Sequence, residues 1–175
     1  MRDETAAGGG GDLSRLIERA LNLGVGGAVV IDPQTVVTAP WVRWKCRYGC
    51  GGYGVYRCCP PESPPPQETR AVLACYRRAL LLHRVGEEAP NVLLSSLERE
   101  AFLSGFYKAL ALGSGRCRLC DPCTPDRCAH PALARPCLEG WGIDVYATAR
   151  AHGFPCRVLR DRSETPNRYG LLLID

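Results

Sequence analysis

No stretch of this chain approaches the ~20 consecutive apolar residues that cross a bilayer as a helix. The first eleven residues, Met1 to Gly11, lack the apolar centre of a secretory signal. Both absences lead to the expectation of a cytoplasmic protein without membrane attachment. Histidine is scarce, with three in 175 residues, and His83, His130 and His152 are too scattered to build a Ser/His/Asp or Cys/His catalytic set. There is no G-x-G-x-x-G turn, no Walker loop and no internal repeat, so the usual sequence signs of dinucleotide or nucleoside-triphosphate binding are missing. Charge of neither sign dominates: 22 Lys and Arg against 18 Asp and Glu give a net charge of +4. No basic stripe stands out, and a nucleic-acid partner is not expected.

What the chain has in excess is cysteine, with eleven. A reducing cytosol keeps thiols free, and an odd number leaves one unpaired in any disulfide scheme, so metal or redox chemistry is the better reading. With 46% hydrophobic and 23% charged residues, the composition is that of a globular chain. The length suits one domain, expected over residues 12–175. The four glycines at 8–11 make residues 1–11 a flexible tail, because ordering them costs too much entropy without contacts.

The densest stretch is Cys117-Arg-Leu-Cys120-Asp-Pro-Cys123-Thr-Pro-Asp-Arg-Cys128-Ala-His130-Pro131. Its prolines, and the Gly113-Ser-Gly115 approach, exclude a regular helix or strand. Thiolates this close repel one another unless a cation neutralises them, so the segment reads as a ligand cage. C-x2-C-x2-C is how a bacterial [4Fe–4S] loop begins, with a further cysteine for the last corner. Zinc held by Cys117, Cys120, Cys128 and His130 is the alternative, although two C-x2-C knuckles separated by a longer loop are its usual form.

A second cysteine-rich stretch runs from Cys46 through Cys50 to Cys58-Cys59-Pro60-Pro61. Gly49, Gly51, Gly52 and Gly54 let its backbone approach a bulky inorganic ligand and offer N–H groups to sulfur. The arginines around the two stretches (Arg47, Arg57, Arg116, Arg118, Arg127) could offset thiolate charge. Of the remaining thiols, Cys137 lies close enough to serve as a spare ligand. Cys75 falls on an apolar helix face and Cys156 starts a strand, which makes both core residues. His83 reads as structural, and His152 as a partner for a helix dipole.

Hydrophobic spacing supplies the scaffold. Asp12 caps a helix in which Leu13, Leu16, Ile17, Ala20 and Leu21 form one stripe ending near Gly24. Residues 26–31 and 35–37 read as a hairpin turning at Pro33. Ser63 and the prolines after it open a helix with Val72, Cys75, Tyr76 and Ala79 on one face, and 79–82 is a buried strand. Pro90-Asn91 starts a helix with Leu93, Leu97 and Ala101 inward and Glu98, Arg99 and Glu100 mostly outward. A strand within 106–112 delivers the chain to Cys117. Residues 144–153 form a helix with a glycine stop. Residues 154–159 and 169–174 are strands, the latter apolar enough for the middle of a sheet.

Together these residues carry a resemblance. Cys46-x3-Cys50-Gly-x-Tyr-Gly, Cys59-Pro-Pro, Leu97-Glu-Arg-Glu100, Tyr107-Lys-Ala-x-Ala-Leu-Gly113, the Cys117 to Cys123 run, Cys128-x-His-Pro, Arg135-Pro, Gly142-Ile-Asp144 and Tyr169-Gly-Leu-Leu-Leu-Ile resemble a family of predicted metal-binding proteins of unknown function, found largely in anaerobic bacteria and archaea. The resemblance implies metal or iron–sulfur binding and no known reaction. The chain departs from the pattern at Cys58, where threonine or serine is expected, and at Cys137, where serine is expected. That leaves Cys46, Cys50, Cys59, Cys117, Cys120, Cys123 and Cys128 as the matched ligand set.

The expectation is therefore a single α+β domain with a mixed or antiparallel sheet, packed helices and two cysteine-rich metal loops at one end. These would hold one or two iron–sulfur clusters of the [4Fe–4S] type, serving redox, electron transfer or sensing with a redox protein partner. The alternatives are a structural zinc protein acting as a docking module, or an enzyme using a cluster with an open iron. The three matched cysteines of the first loop are one short of a cage. Shared ligation with the second loop, Cys59 or Cys128 crossing over, requires the loops to meet in space. The radical-generating C-x3-C-x2-C arrangement does not fit, because Tyr53 stands where its third cysteine belongs.

Overall fold

A computed structural model describes residues 13–86, 90–124, 126–161 and 163–175. The 1–11 tail and the Asp12 cap lie outside them. Nine regular elements follow in order: α1 (Leu13–Asn22), β1 (Gly27–Ile31), α2 (Pro40–Gly49), α3 (Pro66–Leu73), β2 (Ala79–Val85), α4 (Asn91–Leu103), β3 (Leu110–Leu112), α5 (Val145–Ala151) and β4 (Asn167–Leu173).

The four strands form one antiparallel sheet in the order β1-β2-β4-β3. Its two inner strands are apolar on both faces, because both faces are covered. Leu80, Leu82, Leu172 and Ile174 pack with Leu16 and Ala20 of α1 and with Leu94, Leu97 and Ala101 of α4. Gly170 has to be glycine for this: a Cβ there would lie 2.6 Å from Leu94 Cδ1. Leu81, Leu171 and Leu173 face the other way, onto Ile31, Leu73, Trp141, Ile143 and Ala149. Burying this many leucines contributes about 1.5–3 kcal/mol for each side chain. The second face is also the one over which the cysteine-bearing segments lie.

The α+β class, the antiparallel sheet, the inner position of 169–174 and the helices at 13–22, 91–103 and 145–151 agree with the sequence reading. Asp144 caps α5 by accepting from the Ala147 N–H at 2.9 Å, and Gly153 ends that segment at φ +76°. Several expectations need correction. Residues 26–37 do not form a hairpin. Asp32 Oδ1 accepts from the Gln34 N–H at 2.9 Å, which winds Pro33–Thr35 into a 3-10 turn, and β1 pairs with β2 instead. The cap of α3 is Pro65, not Ser63, and Cys75 lies beyond its end and is exposed. Residues 154–159 are not a strand, and β3 is limited to three residues. In α1, Leu21 faces solvent rather than joining the stripe. Glu98 turns inward, where its carboxylate forms a bidentate pair with Arg135 at 2.6 and 2.7 Å and accepts from the Ala111 N–H at 2.6 Å.

Among the described residues no helix is long and apolar enough to cross a membrane. His83 is buried, with Nε2 2.7 Å from Asn167 Oδ1 and its ring stacked on Tyr169. His152 caps the C-terminus of α5, where Nε2 lies 2.9 Å from Thr35 Oγ1.

Candidate metal centre

The first cysteine-rich stretch begins on a helix rather than in a loop. Pro40 sits at the first turn of α2, where its missing N–H costs nothing. The helix turns Val42, Arg43 and Cys46 toward the protein and Trp41, Trp44, Lys45, Arg47 and Tyr48 toward solvent. Cys46 and Cys50 are four apart and so share a face, and the Cys50 N–H closes the last turn onto the Cys46 carbonyl at 3.2 Å. Beyond it the chain coils through successive turns. Gly54, at φ +68°, donates to the Pro60 carbonyl at 2.7 Å, and the Cys59 N–H donates to the Tyr56 carbonyl at 2.9 Å. Pro60-Pro61 is cis. Arg43 fastens the segment from beneath. Its Nη1 lies 2.7 to 3.0 Å from the Ser63 carbonyl and hydroxyl, the Pro64 carbonyl and the Gly140 carbonyl.

Gly52 is buried between two sulfurs. A Cβ there would be 3.2 Å from Cys59 Sγ, 3.5 Å from Cys50 Sγ and 3.4 Å from Arg116 Cβ, and the Gly52 N–H donates to Cys50 Sγ at 3.4 Å. Gly52 thus stands close to cysteine sulfur and donates to it. Gly140 repeats the arrangement across the site. Its N–H donates to Cys137 Sγ at 3.2 Å, and a Cβ there would stand 3.1 Å from the same sulfur.

The second stretch is held at its neck. The Gly113 N–H donates to the Pro136 carbonyl at 2.7 Å, and the Leu138 N–H returns a bond to the Gly113 carbonyl at 3.0 Å. Asn91 Oδ1, at the start of α4, accepts from the Ser114 N–H at 2.9 Å, and Gly113 leaves no room for a side chain beside it. Arg135 is fixed by Glu98. Between these points, every described residue from 115 to 136 is exposed or half-buried, and Asp121-Pro122 is cis.

The two stretches meet. The Cys58 thiol lies beside Cys117 and Cys128, and Cys59 lies beside Cys117. Cys120 lies beside Cys123, with Cys117 alongside. On the other side, Cys46 lies beside Cys50, Cys59 and Glu139. All seven matched cysteines therefore stand at one end of the molecule in two adjoining groups. The two set aside, Cys58 and Cys137, sit within these groups. His130 is exposed.

Charge follows from this crowding. Burial, then Cys50, Glu139 and Cys59, push the Cys46 thiol up to about 11. Burial followed by Cys117 and Cys128 pushes Cys58 up to about 12. Cys59 goes the other way: the hydrogen bond from the Cys137 thiol holds it below the usual thiol range, with Arg116 adding to the effect. Cys137, as the donor, is correspondingly raised. Glu139 is raised by burial, and its Oε2 has no hydrogen-bond partner.

Cys46, Cys50, Cys59 and Cys137 all line one cavity of about 440 Å³, together with Arg116 and Glu139. The donors are soft thiols, backed by backbone N–H groups and one guanidinium, and the glycine cradle leaves them room. Such a set fits a thiophilic metal or an iron–sulfur cluster. Among the described residues no three Cys, His, Asp or Glu side chains already converge on a point where one ion would be held. The sulfurs border a space instead.

Sequence reasoning missed Arg43 and Glu139, and it set Cys58 and Cys137 aside as departures from the family pattern, although Cys137 lies close enough in sequence to serve as a spare ligand. Cys156 is half-buried against the core and also lines the cavity, without the strand expected there.

The fold is α+β, with nine of the eleven cysteines gathered in two adjoining groups beside glycines that leave space around sulfur. The chain belongs to the family described as predicted metal-binding protein (DUF2284), whose match covers residues 29–174. No curated protein and no solved structure matches it.

Proposed function

We propose that this protein is an iron–sulfur protein of the [4Fe–4S] type, working in the cytoplasm in redox, electron-transfer or sensing chemistry with a protein partner. Its ligands are drawn from Cys46, Cys50, Cys59, Cys117, Cys120, Cys123 and Cys128. The observation that carries this reading is the meeting of the two cysteine-rich stretches, in which Cys117 lies beside both Cys58 and Cys59. Adjoining cages of this kind are what two-cluster ferredoxins build from interleaved cysteine motifs. The spread of the thiols around a space also supports a cube over zinc, which draws four donors to a single point at about 2.3 Å.

A bound cluster would supply a one-electron couple. The residues present tune that charge. Arg116 and the N–H groups of Gly52 and Gly140 stabilise negative charge on sulfur. α2 carries Cys46 on its inner side and Cys50 at its C-terminal end. Its outer face exposes Trp44 (56%) and Tyr48 (74%), with Arg47 over the stacked Trp44–Tyr48 pair. Trp, Tyr and Arg are the side chains most enriched at protein-binding hot spots, so this face suits the docking of a redox partner.

The test is anaerobic purification followed by iron, zinc and acid-labile sulfide analysis, with reduction followed optically. Iron and sulfide in equal number, with reversible bleaching, is the expected result. Stoichiometric zinc without sulfide would overturn the reading.

A further inference from the structure

We infer that Cys137 is the fourth ligand of the first-stretch site, closing with Cys46, Cys50 and Cys59 a complete four-thiolate set for an iron–sulfur cube. This rests on the iron–sulfur reading above and adds a ligand from outside both cysteine-rich motifs.

Three observations of geometry carry it. Cys46, Cys50, Cys59 and Cys137 line the same cavity of about 440 Å³, as does the half-buried Cys156, whereas Cys58, Cys117, Cys120, Cys123 and Cys128 do not. Cys137 is delivered there by the neck of the second stretch, where the Leu138 N–H is bonded to the Gly113 carbonyl at 3.0 Å, and it is only 6% exposed. Both sides of the cavity carry a glycine whose N–H donates to a cysteine sulfur and whose missing Cβ leaves room for a cysteine sulfur of the set, Cys59 beside Gly52 and Cys137 beside Gly140. Gly52 donates to Cys50 at 3.4 Å, and Gly140 to Cys137 at 3.2 Å. A buried cysteine of purely packing value sits among hydrocarbon. Here the neighbours are the Cys59 sulfur, the Gly140 N–H and the Glu139 carboxylate.

The substitution that made Cys137 look foreign to the family pattern thus falls where a thiol has a use. A three-thiolate site keeps one iron open to water or substrate, and a fourth thiolate closes it. The first site of this chain is then built for electron transfer rather than Lewis-acid chemistry.

The experiment uses the full chain purified anaerobically, with iron and acid-labile sulfide per chain and the electron paramagnetic resonance spectrum of the reduced protein as readouts. C137A is expected to lose one cube's iron and sulfide, or to keep it with a changed spectrum and ready loss of one iron on mild ferricyanide oxidation. C75A, at an exposed thiol away from the cavity, serves as the control and should leave both unchanged. C137A with wild-type content, spectrum and oxidation resistance would overturn the inference and leave the iron–sulfur reading standing. A wild-type protein without iron and sulfide would remove both. If C137A fails to fold, C137S keeps the volume and the hydrogen bond. Altered content or spectrum in C137S supports ligation, and an unchanged spectrum sinks it.

Discussion

Between Cys46 and Pro61 the backbone is tied down at nearly every turn, by α2, by Gly52 and Gly54, and by Arg43 under the segment. Among the described residues between Arg116 and Pro131 every side chain is exposed or half-buried, and the stretch is tied at its neck, through Gly113, Ser114 and Arg135. The two stretches carry the same kind of ligand and touch one another, yet one is shaped by the protein and the other waits for its ligand to shape it. A preformed cradle costs little to fill, whereas a loop that orders on binding spends part of the binding free energy on its own conformational entropy. The first stretch should therefore keep its form without metal, and the second should lose it.

Mutations can test that difference, beginning with the one of largest expected effect. Arg43→Ala leaves the Ser63, Pro64 and Gly140 carbonyls short of a donor and should cost about 2–4 kcal/mol in urea unfolding of the metal-free protein. Equal stability of variant and parent would show that the first stretch is not held from beneath. Gly52→Ala drives a methyl against the Cys50 and Cys59 sulfurs and should cost about 1–3 kcal/mol while lowering metal content. The metal-free crystal structure of that variant should show one sulfur displaced.

A smaller effect comes from pH. Cys46 is raised from 9.0 to about 11, so the folded metal-free protein holds its proton where the unfolded chain has released it. Stability from this group is complete below pH 9 and declines as pH rises through about 11. Metal uptake runs the opposite way and strengthens with pH, since the thiol proton must leave. Thermal melts of the apo protein between pH 8 and 11 and metal titrations over the same range should move in opposite directions.

The smallest effect on apo stability belongs to Cys120→Ala, within about 0.5 kcal/mol, because this half-exposed thiol packs against little. The same variant should nevertheless lose the metal-dependent protection of residues 116–131 from limited proteolysis. Protection of that segment in the apo wild type would break the contrast between the two stretches.

The sequence was most legible where the signal is local. Thiol spacing picked out both cysteine-rich stretches, because ligation needs several sulfurs within reach of one metal centre. Apolar period identified α1, α4, α5, β2 and β4, because each buries one face or both. The hairpin expected at 26–37 failed because Asp32 had a nearer use for its carboxylate, and because the partner of β1 lies about fifty residues away, beyond any local pattern. The strand expected at 154–159 failed for a similar reason: Phe154 and Cys156 are half-buried while Val158 is 74% exposed, so the alternation is satisfied by packing on one side without a pairing strand.

By itself, then, the sequence determined that this chain is an α+β protein with more thiols than a packing role needs, gathered in two motifs. Only the tertiary structure decided which thiols keep company. It moved Cys75 out to solvent, joined Cys58 to Cys117, and brought Cys137 to Cys59 through a neck fixed by Asn91, Glu98 and Arg135. Spacing encodes which residues can share a ligand along one segment. Neighbours from separate segments are set by sheet order and by the buried bonds that pin each loop's ends, and neither is written in any single stretch of chain.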